Sequence, residues 1–221
     1  MPASSNSPCF TLELPLVVDS EGNRRLERDF AYALMLRNAT LGTVFHQHNK
    51  MVRSPEWHNA YLKPEGPERK AAFKAVRKAY RLSGRNDFEQ ILLKHADDSK
   101  RKDELYSDIR QCVADDLYVA YSNWCYKDGG RPRFKSGRRG LHSLRGKTNK
   151  SAIMWDPELK AVRYGKHIFK AEISKKDLYA QKALVDPLNP SMPRKVRFCR
   201  IIRKRIRGKG SCSSSWTGSR P

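Results

Sequence analysis

Gly129 to Lys150 reads GGRPRFKSGRRGLHSLRGKTNK, and the architecture turns on how this stretch is understood. Its 22 residues hold eight Lys or Arg and no Asp or Glu. The Gly pair at 129 and 130, Pro132, and further glycines at 137 and 140 rule out a regular helix. Pro132 fixes its own φ and pushes Arg131 towards an extended conformation. Phe134, the one aromatic, stands between Arg133 and Lys135. The stretch reads as an extended arm, stiff at Pro132 and loose at its glycines, lined with cations. Such an arm repels itself unless a polyanion lies against it, and the obvious polyanion is a phosphate backbone. The bland alternative is a solvated basic loop. Against it, the acid-free span continues to Asp156, and strand-like sequence follows, so the arm lies inside a folded region.

The charge of the whole chain supports the same reading. Of the net +22, almost all sits C-terminally: residues 1–126 hold 19 Lys or Arg against 17 Asp or Glu, and residues 127–221 hold 26 against 6. A near-neutral half joined to a strongly basic one is the footprint of a nucleic-acid binder. Acidic membrane is the competing polyanion. No apolar run approaches the roughly 18 residues that span a bilayer, and no N-terminal signal pattern is present, so no membrane partner is expected. The five cysteines, at 9, 112, 125, 199 and 212, are scattered and never spaced C-x-x-C, so no zinc ribbon or disulfide framework is expected. They suit a reduced, cytoplasmic setting, with association to the nucleoid open. His46 and His48 point about 200° apart on a helix, so no metal is expected there. No cofactor and no small-molecule ligand are expected.

Before the arm, Phe10, Leu12, Leu14, Leu16 and Val18 alternate with polar residues as a half-buried strand. Pro15 within it suggests a position at or near a sheet edge. Residues 20–128 then read as a helical lobe. Helices are expected from about Asn23, from Ser54-Pro55, over about 68–82, over about 86–97 and over about 102–126. Leu26, Phe30, Ala33, Leu34, Leu41 and Phe45 form the buried stripe of the first. Arg37 and Asn38 interrupt that stripe. They are either a satisfied polar pair or a pair reaching a phosphate from the helix face. The acidic pairs Asp97/Asp98 and Asp115/Asp116 are sequence neighbours and diverge on a helix, so they do not make a two-carboxylate catalytic site.

After the arm the period becomes extended. Strands are expected at 151–155, 161–164 and 167–173, a short helix over 176–184, and a last strand over 195–207. In that last strand Val196, Phe198, Ile202 and Ile206 read as the packed face. Arg197, Arg203, Arg205 and Arg207 read as an exposed cation ladder. The fold class is therefore α+β: a small β-barrel with a helical bundle inserted after its first strand (residues 1–19), a basic arm (129–150), and the remaining barrel strands (151–209).

The order of these parts resembles the N-terminal half of TnpB-type transposon-encoded RNA-guided nucleases and the related type V CRISPR effectors. The residues that carry the resemblance are GGRPRFKS at 129–136, LHSLRGK at 141–147, KHIFKAEIS at 166–174 and VRFCRIIRKRIRGK at 196–209. The resemblance implies a wedge-like barrel and a recognition lobe that hold guide-like RNA, DNA, or the RNA–DNA duplex by its backbone. It implies that Arg131, Arg133, Lys135, Arg138, Arg139, Arg145 and Lys147 grip phosphates. Phe134, Lys150 and the ladder of Arg197, Arg203, Arg205 and Arg207 complete the expected contact set. In that family a nuclease domain follows, with metal-binding carboxylates. Here no carboxylate follows Lys209, and the chain ends GSCSSSWTGSRP. No catalytic residue is expected in this chain, and a separate nuclease-bearing or full-length chain is an expected partner. Residues 210–221 read as a disordered tail or as the out-of-frame product of a frameshift near codon 210. A stand-alone DNA-binding regulator and an active nuclease or transposase are the competing functions.

Overall fold

A computed structural model describes residues 11–138, 140–184, 196–205 and 212–219, with backbone alone for Ala183, Lys204, Arg205 and 212–219. It is a mixed α+β protein containing a curled, half-barrel antiparallel sheet. The chain divides into two compact units. The first comprises residues 1–31, 106–112 and 138–221, and the second residues 32–105 and 113–137. Phe10, Arg139, the loop 185–193, Ile206 and Arg207 lie outside the described residues.

The first unit holds the sheet: β1 (Thr11–Val17), β2 (Ser143–Arg145), β3 (Ile153–Asp156), β4 (Ala161–Tyr164), β5 (His167–Ala171), β6 (Phe198–Arg205) and β7 (Cys212–Ser219). Their order is β2-β6-β7-β1-β5-β4-β3, and every pairing is antiparallel. In β1 the alternation is as expected, with Leu12, Leu14 and Leu16 buried between exposed neighbours. Its position is not. β1 lies in the sheet interior, between β7 and β5, despite Pro15. The reason is register. The β1–β5 ladder pairs Leu16 with Ala171 and Val17 with Lys170. The Pro15 carbonyl accepts from Glu172 N (2.9 Å), so its missing N–H faces the β5 side just where that ladder ends. Cys212–Ser219 form β7, pairing with both β1 and β6, where a loose tail was expected. The frameshift explanation concerns the gene, and the fold does not bear on it.

Two further expectations change in this unit. Ser143–Arg145, expected as part of the arm, form β2, pairing Leu144 with Ile201. β6 also turns over. Cys199 and Ile201 are its fully buried residues, and Phe198 and Ile202 are half-buried. Both faces of β6 carry apolar side chains, so alternation alone did not choose between them. The buried pairing of Leu144 with Ile201 does.

Helix α1 (Ser20–Val52) contributes its first residues here, and with them Asp29, which is wholly buried. Its Oδ2 accepts from Arg25 Nε (2.8 Å) and from the Tyr164 hydroxyl. The Arg25 guanidinium lies over the Tyr106 ring at 5.7 Å. Tyr106 also closes on the two-residue β4–β5 turn, Gly165-Lys166. Gly165 has φ +58°, and a Cβ there would sit 1.7 Å from Tyr106 Oη. Gly165→Ala therefore combines a left-handed backbone penalty with a clash. It should cost about 3 kcal/mol, read as a lower urea midpoint at unchanged m-value. A midpoint equal to that of the unsubstituted chain refutes this account of the turn.

The second unit is helical: the rest of α1, α2 (Pro55–Leu62), α3 (Pro67–Ala79), α4 (Arg85–Asp98) and most of α5 (Ser107–Tyr126). The remaining short helix, α6 (Leu178–Ala183), belongs to the first unit. The expected cap at Ser54 is present: its Oγ accepts from Trp57 N (3.2 Å), and Pro55 opens the helix. α1 starts at Ser20, before Asn23, because the Asp19 carboxylate accepts from Gly22 N at 2.7 Å. Leu36, Leu41, Val44, Met51, Phe88, Leu92, Leu105 and Leu117 make the core of this unit. No helix among the described residues is long and apolar enough to cross a membrane.

Candidate nucleic-acid interface

The arm is shared between the units, with residues to Gly137 in the second and from Arg138 in the first. In the second unit, residues 129–136 have no regular structure, as the glycines and Pro132 dictate. They are nonetheless held closely. Asn38 Nδ2 donates to Lys135 O (2.8 Å), and its Oδ1 accepts from Lys135 N (3.1 Å). One side-chain amide thus replaces the pair of bonds a neighbouring strand would make. Arg37 Nη1 donates to Arg133 O (3.1 Å) and to Asn38 Oδ1 (3.3 Å). The polar pair that interrupts the α1 stripe is therefore satisfied, but by backbone 96 and 97 residues away.

The arm's side chains seat it as well. Pro132 is buried. The Arg131 guanidinium lies 4.3 Å from the Phe45 ring centroid and 5.5 Å from that of Trp124. Phe134 meets Phe45 edge-on at 6.0 Å while keeping 57% of its surface exposed. Below Arg131, His48 packs on Trp124 (4.7 Å) and bonds the Tyr121 hydroxyl (2.9 Å). Burial, then the Arg131 charge, holds His48 below the usual histidine range, which favours the neutral imidazole. Burial, then the neighbouring Arg37, also pulls the Lys135 ammonium down. Arg131 and Lys135 thus serve partly to dock the arm. Arg133 is exposed.

In the first unit Arg138, Lys147 and Lys150 are exposed, with Lys147 Nζ donating to Gln111 (2.9 Å). A turn at 148–151 is tied by Ser151 Oγ to Thr148 O (2.6 Å). Asn149 then holds Trp155 N on its Oδ1 (2.6 Å), so the cations flank a fixed turn. Arg145 lies 5.7 Å over Phe198 and stands directly opposite Arg200 across the β2–β6 ladder. Directly opposed like charges destabilise a sheet. Arg200 is not in the expected contact set; it is half-buried on β6 and paired with Arg145 in the ladder. The signal that could have found it is the LHSLR strand, whose register sets Arg145 beside it.

The cation ladder on β6 divides. Arg203 is ion-paired with Glu27 (2.6 Å), since it shares the inward side of β6 with Cys199 and Ile201. Arg197 is exposed. The Arg205 side chain, Arg139 and Arg207 lie outside the described residues. Among the described residues, no three His, Cys, Asp or Glu side chains group as metal ligands. Comparison with known protein families and with curated proteins finds no match for this chain.

Proposed function

We propose that this chain is a nucleic-acid-binding protein that grips guide-like RNA or an RNA–DNA duplex by its phosphate backbone, in the manner of the non-catalytic half of an RNA-guided nuclease. On this reading the curled sheet is the wedge-type barrel, the helical unit is the recognition bundle, and cleavage belongs to another chain or domain. The observation that supports it is how the arm is fixed. Asn38 and Arg37 take the arm's backbone, not its charges, so Arg133 remains free to meet an anion. A loop that merely carried charge for solubility needs no such tie. Because the contacts go to backbone, sequence choice is left to base pairing.

The test is binding of the full chain to structured RNA, RNA–DNA hybrid and duplex DNA of equal length across a salt series. About eight phosphate contacts give a log–log slope of roughly −5 to −7. RNA or hybrid should bind more tightly than duplex DNA. A preference for duplex DNA would instead make the chain a DNA-binding regulator. Weak, equal, salt-insensitive binding to all three would falsify the proposal.

A further inference from the structure

We propose that α3, with the ring cluster it shares with α2, is a second binding surface, and that it takes single-stranded nucleic acid. The near-neutrality of residues 1–126 conceals it. Helix α3 alone carries five Lys or Arg against the single acid Glu68, and the acids that balance them lie on other elements. Lys70, Lys74 and Lys78 recur every four residues, so they form one slowly turning row with about 6 Å of rise per step. Arg81 extends the row just past the helix end. All four are exposed, and none is ion-paired with a described carboxylate. Like charges at i and i+4 each cost a helix a few tenths of a kcal/mol, and a polyanion lying along the row of three lysines turns that repulsion into attraction.

The second observation is aromatic. Trp57 and Phe73 pack with ring centroids 4.7 Å apart, and Tyr61 closes on Phe73 at 5.0 Å. Arg69 lies over the Tyr61 ring at 5.2 Å. Phe73 projects about 60° around the helix from Lys70, so the rings border the cation row. Tyr61 keeps 55% of its surface exposed. A duplex hides the faces of its bases, whereas a single strand offers phosphates to cations and a free base to a ring. The pairing of an open tyrosine with a phosphate row therefore selects a single strand. α3 also connects to the root of the arm: Arg77 lies 5.1 Å over Tyr126, three residues before Gly129.

This surface is distinct from the arm, and the test separates the two. Fluorescence anisotropy of the full chain is measured with single-stranded oligothymidylate and oligouridylate of roughly ten nucleotides, and with a duplex of equal length. Three variants are compared: Lys70→Gln/Lys74→Gln/Lys78→Gln/Arg81→Gln, Tyr61→Ala, and the arm variant Arg133→Gln/Arg138→Gln. The α3 variant should lose about three from the single-strand log–log slope. Tyr61→Ala should weaken single-strand binding about tenfold at unchanged slope, and should leave duplex binding alone. Circular dichroism of each variant should match the unsubstituted chain, since every changed residue is exposed. The inference is overturned if the α3 variant and Tyr61→Ala both bind single strands normally. It is equally overturned if duplex is preferred, or if an acidic peptide of equal charge competes as well as the oligonucleotide. Loss of single-strand binding in the α3 variant alone supports the inference and leaves the arm reading, which concerns duplex, to its own test; loss in the arm variant alone overturns the inference.

Discussion

Changing Arg133, Arg138, Lys147 and Lys150 together to glutamine should weaken binding to RNA or hybrid by a factor of several hundred at about 0.15 M salt. The magnitude follows from counterion release. Four lost phosphate contacts, each worth about 0.8 in the log–log slope, remove about 3 from it and shift the affinity at that salt accordingly. These four are chosen because all are exposed. Arg131 is not among them, since its guanidinium is stacked on Phe45 and its loss would also unseat the arm. Asn38→Ala is the informative companion. It removes both bonds to Lys135 while keeping every charge. Its slope should therefore match that of the unsubstituted chain, while affinity falls about tenfold, because the arm must then be ordered at the cost of binding free energy. If the charge variant keeps its slope, the arm is not the interface. If Asn38→Ala binds normally, the backbone tie has no part in recognition.

The largest effect on stability is expected at Asp29. Removing its side chain in Asp29→Ala leaves the Arg25 guanidinium and the buried Tyr164 hydroxyl without their shared acceptor. Breaking such a buried pair costs about 3–5 kcal/mol, a large part of the 5–15 kcal/mol that holds a typical domain together. Tyr164→Phe removes only the hydroxyl and should cost about 1–2 kcal/mol. The carboxyl is also the place to look for pH dependence. Burial raises it above the usual 3.8, outweighing the opposing hydrogen bonds from Tyr164 and Arg25. The folded state therefore holds the Asp29 proton more tightly than the unfolded chain does. By linkage, this group's contribution to stability declines as pH rises from 3.8 through the raised value, and is level above it. Asp29→Asn keeps the volume and abolishes the titration. The difference between the two stability–pH curves should slope across that window, and two parallel curves would mean that Asp29 does not titrate there.

Much of this could be read locally. The alternation of Leu12, Leu14 and Leu16 specified a strand, and Ser54-Pro55 marked a helix start. The run 161–164 between turn residues is β4 over the same bounds. Gly129, Gly130 and Pro132 required irregular backbone, and residues 129–136 have it. Each of these depends on dihedral preferences and periodicities within a few residues, which the chain carries wherever it folds. The excess of positive charge is likewise a property of composition.

What waited for the tertiary structure was partnership. Pro15 argued for an edge, yet the register of β5 leaves room for it in the interior. Both faces of β6 were apolar enough to pack, and only Leu144 opposite Ile201 decided which did. That choice turned Arg203 inward to Glu27 and set Arg200 against Arg145. Ser143–Arg145 are too short to announce a strand, and they become one because β6 supplies the bonds. The same holds for Asn38, which looked like a flaw in a helical stripe until Lys135 arrived to bond it. A side chain's type is written in the sequence, but whether it is buried, paired or open to a phosphate depends on groups roughly a hundred residues away. No local preference encodes that distance, and packing alone resolves it.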